Sequence, residues 1–176
     1  MVGVNEKESL NIGTNVNDII IEDIKRLTKI IHNKDIPKRI KKKNEILINR
    51  KISNKIDDLH WKSIKYLTHN YKIIFLGDMS AKDIVNRNNS VLNEFQKTAC
   101  LRTKYFLFKT RLEFKCKLNN VYFKYIDESY TSKTCSICSN YNKDLGGSKI
   151  YYCTKCNNTI DRDINGARNI YIKSLL

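Results

Sequence analysis

The stretch that decides the fold reads YTSKTCSIC over residues 130–138 and YYCTKCNNTIDRDINGARNI over residues 151–170. It holds Cys135 and Cys138 in one C-x-x-C and Cys153 and Cys156 in a second, with 14 residues between the pairs. Each C-x-x-C presents two thiolates from one tight knuckle, and two knuckles complete a tetrahedron around a single Zn²⁺. Four cysteine ligands leave no open coordination position, so the expected zinc is structural. It stabilises a segment too small to bury a core of its own. After the knuckles, Ser139 and Asn157 stand where glycine is common, and Asn tolerates left-handed backbone reasonably well.

The chain has 176 residues and a formal net charge of +15. That is one domain, or one domain with a small appendage. The charge implies a polyanionic partner, most often nucleic acid; a ribosome or a membrane surface is the plainer alternative. The N-terminus MVGVNEKES has no apolar core of a secretion signal, and no apolar run approaches the ~18 residues of a membrane span. The expected location is intracellular, in the cytoplasm or nucleus of a host. In such a reducing compartment paired C-x-x-C motifs read as metal sites rather than disulfides. Cys100 and Cys116 stand alone and read as small core residues.

Working outward, residues 1–13 read as a short hairpin of Met1–Val4 and Ser9–Ile12. Residues 15–69 read as two long helices broken at Pro37. Ile20, Ile24, Leu27 and Ile31 fall on one stripe, as do Ile48, Ile52, Ile56 and Leu59, extended by Trp61, Ile64 and Leu67. Residues 34–65 hold eleven basic and four acidic side chains. The cluster Lys38, Arg39, Lys41, Lys42 and Lys43 opens the second helix. Alone it is a solvated face; with this net charge it is a phosphate-binding surface. Residues 72–78 (KIIFLGD) read as a strand buried on both faces. Ser80–Ser90 reads as a loop. Leu101, Tyr105, Phe108, Leu112 and Cys116 recur at helical spacing, so that helix faces a core. Residues 121–128 (VYFKYIDE) read as another strand, and Ile164–Leu176 as a terminal helix.

The acidic positions of interest are Asp78, Asp127, Glu128, Asp161 and Asp163. Asp127 and Glu128 are adjacent on a strand and point to opposite faces, so only one can join a common site. Asp161 and Asp163 precede a helix, where one of them is a natural N-cap. Gly166 and Ala167 follow, small enough to let that helix pack tightly against a sheet.

Residues 127–170 resemble the C-terminal part of the TnpB (OrfB) family of transposon-encoded relatives of Cas-type nucleases. The run from Tyr130 to Cys135 is similar to the family's YTSxTCSxC pattern, and the run from Asp161 to Ile170 to its DRDxNxAxNI pattern. Softer similarity covers Ile12–Asn15, Asp57–Lys62 and Arg111–Lys115. The closest flavour is that of giant-virus and Fanzor-like members, which fits a viral origin.

The resemblance implies an α/β, ribonuclease-H-like (RuvC) mixed sheet with a helical hairpin and an inserted zinc ribbon. It divides the chain into a partial RuvC-like domain over 1–129 with its hairpin at about 15–69, a ribbon over 130–160, and a final motif and helix over 161–176. It implies three carboxylates holding two Mg²⁺ ions for phosphodiester hydrolysis, and DNA and guide RNA as partners. Asp163 matches the last catalytic carboxylate, with Asp161 a supporting neighbour. Many relatives place a glutamate where this chain has Gly77; a Fanzor-like subset carries it on the strand before the ribbon, where Glu128 stands. Asp78 is the fallback. The first catalytic aspartate, in a DPG-like run, is not matched, and the resemblance implies that the chain starts just after it.

Three functions follow as expectations. The first is a nucleic-acid-binding C-terminal fragment with impaired catalysis. The second is an active Mg²⁺-dependent endonuclease, in which Glu6, Glu8 or a partner chain supplies the lost carboxylate. The third is an unrelated zinc-ribbon module. Lys133, Lys155, Arg162 and Arg168 are expected to add phosphate contacts around the ribbon.

Overall fold

The computed structural model describes residues 2–5, 8–78 and 92–176. Met1, Glu6 and the expected loop at Ser80–Ser90 lie outside the described residues. Two compact units share the chain: Gly13–Asn70 with Ser80–Lys115, and Met1–Ile12 with Tyr71–Met79 and Cys116–Leu176.

The first unit is helical. Its helices are α1 (Val16–His32), α2 (Lys38–Asn70), α3 (Glu94–Arg102) and α4 (Tyr105–Leu118), whose last turn passes into the second unit. Ile20, Ile24 and Leu27 of α1 pack on Ile48, Ile52 and Ile56 of α2 and on Ala99 of α3. These are the stripes that the spacing predicts, with two corrections. Ile31 is 39% exposed in the last turn of α1, and Trp61 is 43% exposed. The buried face of α2 runs through His60 and Ser63 instead. Trp61 faces outward with the Arg111 guanidinium 5.1 Å from its ring centre, a cation–π contact.

Helix α3 is not foreseen by apolar periodicity. Its start is a capping box: Asn93 accepts from the Gln96 N–H and Gln96 returns the bond to the Asn93 N–H, both at 2.9 Å. Lys104, at φ 50°, breaks α3 from α4, so the expected single helix is two. Phe108, Leu112 and Cys116 are buried as expected, but Leu101 is 51% exposed.

Two buried polar knots tie this unit. Asp23 accepts from Lys51 at 3.1 Å and Lys55 at 2.6 Å. Burial alone would raise the Asp23 carboxyl, but the two ammoniums hold it below its usual value. Asp57 accepts from Arg111 at 2.6 Å, and the same guanidinium meets His60 Nδ1 at 3.2 Å. His60 Nε2 lies 2.9 Å from the Thr103 carbonyl. A carbonyl can only accept, so Nε2 carries the proton, and Nδ1 accepts from Arg111. Burial, then the Arg111 charge, push the His60 pKa below its ordinary 6.5.

The second unit carries the strands. β1 (Val2–Val4) pairs antiparallel with β2 (Ser9–Asn11), as the expected hairpin. β3 (Ile73–Gly77) pairs parallel with β4 (Tyr122–Ile126), from Ile73↔Tyr122 to Gly77↔Ile126. β5 (Ile150–Tyr152) pairs antiparallel with β6 (Thr159–Asp161). The last helix, α5 (Arg162–Ser174), packs on β1, β3 and β4. In place of one mixed sheet, the described strands form three two-stranded sheets. Strand β3 is not buried on both faces, for Ile73 is 57% exposed. Its parallel pairing needs a long crossover, which residues 78–121 provide. Among the described residues no helix is long and apolar enough to cross a membrane.

The neutral, buried His60 sets a pH dependence. The unfolded chain takes up a proton near pH 6.5 and the folded unit resists it. His60 therefore contributes fully above that pH, and the contribution falls as pH drops toward the lowered folded value. Urea unfolding followed by Trp61 fluorescence should show a lower midpoint at pH 5.5 than at 7.5. In His60→Gln that pH difference should shrink.

Candidate metal centre and carboxylate site

Each cysteine knuckle is built the same way from local backbone. The Cys135 N–H donates to the Asn140 carbonyl and the Cys153 N–H to the Asn158 carbonyl, both at 2.9 Å. The turn residues Ser139 and Asn157 are left-handed, at φ 58° and 55°, where the sequence places them. Under the knuckles lies a small core of Cys135, Leu145, Tyr151 and Cys153. The fully buried Tyr151 ring sends its hydroxyl to the Asn140 carbonyl at 3.0 Å, which satisfies its one polar atom.

All four sulfurs lie within 4.8 Å of one another. Cys135 and Cys156 are 3.7 Å apart, and Cys138 and Cys153 are 3.5 Å apart. A zinc with Zn–S bonds of ~2.3 Å sets its sulfurs ~3.8 Å apart, so the donor set fits a tetrahedral thiophilic ion. The electrostatics agree. The Cys156 N–H and then the Lys155 N–H help hold the Cys153 thiol down at about 6, against burial. At Cys156 the Asn158 N–H lowers the pKa, but burial and the three neighbouring sulfurs drive it up to about 12. A cation bound by the sulfurs displaces whatever protons they carry. Burial, then the four sulfurs, lift the Tyr151 phenol to about 12.

The ribbon leads directly into α5. Asp161 is the N-cap, its Oδ1 accepting from the Asp163 N–H at 2.9 Å and the Ile164 N–H at 3.1 Å. Asp163 stands exposed in the first turn, where the helix N-terminus favours a negative charge. Asp127 and Glu128, expected on the strand, follow its end at Ile126. Asp127 turns to the Ser129 hydroxyl at 2.7 Å and to Lys173 at 3.2 Å. The Ser129 hydroxyl and N–H, then Lys173, lower its pKa. Glu128 turns the other way and lies over Gly77, at the end of β3. A Cβ built on Gly77 would run into the Glu128 carboxylate. The end of β3 is thus covered by a carboxylate from the segment that follows β4.

Among the described residues, the four cysteines are the one group of three or more His, Cys, Asp or Glu side chains whose ligand atoms all converge. Glu128 and Asp163 belong to the same unit, Glu128 two residues beyond β4 and Asp163 in the first turn of α5. Asp78 follows β3 and is exposed.

The expected basic contacts divide. Lys38, Arg39, Lys42 and Lys43 are exposed and Lys41 half-buried, all at the start of α2, with no acidic residue in its first turn. Lys155 and Arg168 are exposed. Lys133 and Arg162 also brace the ribbon: Lys133 donates to the Lys143 carbonyl at 3.1 Å, and Arg162 to the Gly146 carbonyl at 3.2 Å.

Sequence reasoning misses Asn165 and Asn169. Both are buried on one face of α5; Asn169 bonds to backbone ahead of the first knuckle, and Asn165 to backbone on either side of Cys135. Their signal is spacing: two Asn four residues apart inside a helix, where Asn is unfavourable unless its amide is used. Gly166, expected to permit tight packing on a sheet, faces Ser132 instead. A Cβ there would sit 3.9 Å away, in ordinary contact.

These two readings of α5 give opposite signs. Asp161→Ala should destabilise the second unit by about 1 kcal/mol through loss of the cap. Gly166→Ala should be neutral or stabilise by up to about 1 kcal/mol through helix propensity. Thermal unfolding of the metal-loaded chain measures both.

Residues 105–170 match the family model for the Cas12f1-like TNB domain. A TnpB-like protein of Acanthamoeba polyphaga mimivirus is 36% identical over 141 residues, covering 76% of this chain and 26% of the relative. A putative transposase of Paramecium bursaria Chlorella virus 1 is 34% identical over 119 residues, covering 68% of this chain and 26% of the relative. The chain thus spans about a quarter of the length of these viral relatives. The fold is similar to Cas12f1 as solved in a Cas12f1–sgRNA–target DNA complex, with a TM-score of 0.65 at 18% identity over 96% of this chain and 47% of that one. The two cysteine knuckles, the capped DRDINGARNI helix and these relatives together make the chain a member of the TnpB/OrfB family.

Proposed function

We propose that this chain is the nucleic-acid-binding, metal-binding C-terminal portion of a TnpB-type DNA endonuclease. Zinc is the structural ion at the four cysteines. Glu128 and Asp163 are its catalytic carboxylates. The 176 residues on their own bind DNA without cutting it.

The observation that carries the reading is the exchange at Gly77. The resemblance implies a glutamate at this strand end in many relatives; here the Glu128 carboxylate, from the segment after β4, occupies the space beside Gly77 and is assigned that role. Asp163 opens a helix that packs on the same two strands. Carboxylate oxygens are hard donors that suit Mg²⁺. Bound there, Mg²⁺ would supply water activation and charge neutralisation at the scissile phosphate. Impaired cutting rests on the donor count: the resemblance implies three carboxylates, and Glu128 and Asp163 supply two.

Binding to DNA, and to a guide RNA like that of the solved Cas12f1 complex, rests on charge. The net +15 is partly concentrated at the α2 N-terminus. There five cations meet the positive end of a helix dipole, and phosphates relieve both.

Binding to duplex and single-stranded DNA across a salt series tests the first half. Log affinity should fall linearly with log salt, and replacing Lys38, Arg39, Lys42 and Lys43 by Ser should flatten the slope by about 0.9 per lost phosphate contact. Mn²⁺ titration tests the second half: Glu128→Gln and Asp163→Asn should each weaken binding at least tenfold, with no DNA cleavage by any form. Reproducible Mg²⁺-dependent cutting that either substitution abolishes makes the chain an active nuclease. Mn²⁺ binding indifferent to both substitutions removes the catalytic assignment.

A further inference from the structure

We propose that Asn165 and Asn169 clamp α5 to the first cysteine knuckle. Metal loading at the four cysteines thereby orders the helix that carries Asp163. The proposal rests on the metal reading of the cysteines and is independent of the catalytic reading of Glu128 and Asp163.

Asn165 is fully buried, and both ends of its amide are used. Its Oδ1 accepts from the Ser136 N–H at 3.0 Å, and its Nδ2 donates to the Thr134 carbonyl at 2.7 Å. One side chain therefore brackets Cys135, fixing the peptide groups before and after it as a neighbouring strand would. The Cys135 N–H is already taken by Asn140. With its flanking peptides held from α5, little freedom remains in where Cys135 aims its sulfur. One helical turn on, Asn169 Nδ2 donates to the same Thr134 carbonyl at 2.6 Å and to the Thr131 carbonyl at 2.7 Å. Thr131 is itself buried. The amides thus serve buried carbonyls rather than solvent.

The connectivity closes a ring. The second knuckle runs through β6 straight into α5. From α5 the two asparagines return to the first knuckle. A metal joining the two knuckles completes the circuit. Opening any link of such a ring restores chain freedom to the others, so metal and clamp must stabilise one another. Linkage makes the effect reciprocal: whatever order the metal imposes on α5, an ordered α5 returns as metal affinity. Groups that orient a metal ligand from behind commonly change affinity by about 10–100-fold.

Lys173 supplies an internal control. It also ties α5 to the segment before the ribbon, through the Ser129 carbonyl at 2.8 Å and Asp127 at 3.2 Å, but it does not touch a knuckle.

The test is Co²⁺ titration with optical detection, alongside amide hydrogen exchange over residues 163–170, on the full chain. Asn165→Ala and Asn169→Ala should weaken Co²⁺ binding at least tenfold while keeping the four-thiolate tetrahedral spectrum. Lys173→Met should stay within twofold of the parent. Metal should slow exchange in α5 of the parent and fail to do so in the Asn variants. If an Ala variant does not fold, Asn165→Asp and Asn169→Asp preserve size, remove the donor and carry the same criterion. Affinities within twofold of the parent, or α5 exchange that ignores metal in the parent, overturn the proposal. A working clamp in a chain that binds no Mn²⁺ leaves it standing and overturns only the catalytic assignment.

Discussion

Mutual repulsion among four converging thiolates is the constraint on which the second unit depends. Cys135 and Cys156 lie 3.7 Å apart and Cys138 and Cys153 3.5 Å apart, and this closeness helps drive the Cys156 thiol up. With a divalent ion the same closeness becomes attraction, and two knuckles of a few residues each gain a fixed geometry. The core beneath them is small, built around Tyr151 and Leu145, and its buried area alone is a weak reason to fold. A metal at the four cysteines would stand in for the missing hydrophobic core.

What is attached to the knuckles is the carboxylate-bearing machinery. The first knuckle is approached from Glu128 through a short turn, and the second departs through β6 to the Asp161 cap and Asp163. A long insertion between two strands and a helix normally loosens their alignment through loop entropy. Here the insertion returns to its own starting point and is bonded there by the amides of α5. The Glu128 carboxylate lies beside Gly77, at the end of β3.

The cysteine module was legible almost in full, because its signals are local. Ligand type, spacing and left-handed turn positions are properties of a few consecutive residues. The same holds for the hairpin, α1 and α2, while the cap of the last helix was narrowed to Asp161 or Asp163. What stayed hidden depends on partners distant in sequence. Trp61 continued the apolar stripe of α2 by spacing, yet Arg111 gives it an outward-facing partner, and His60 is buried because Thr103 and Arg111 satisfy both ring nitrogens. The strands were legible as strands but their pairing was not, since a period-two pattern does not say which edge meets which. Helix α3 was legible in principle through Asn93 and Gln96 and was hidden by its polar composition. The roles of Asn165 and Asn169 required seeing which backbone they face.

The account's central claim is that one zinc, held by sulfur alone, organises this ribbon. X-ray absorption at the zinc edge on the purified chain tests it most directly. The account predicts four sulfur neighbours at ~2.3 Å with no light-atom ligand. A shell containing nitrogen or oxygen, or cysteines recovered as disulfides in a metal-free chain, contradicts it.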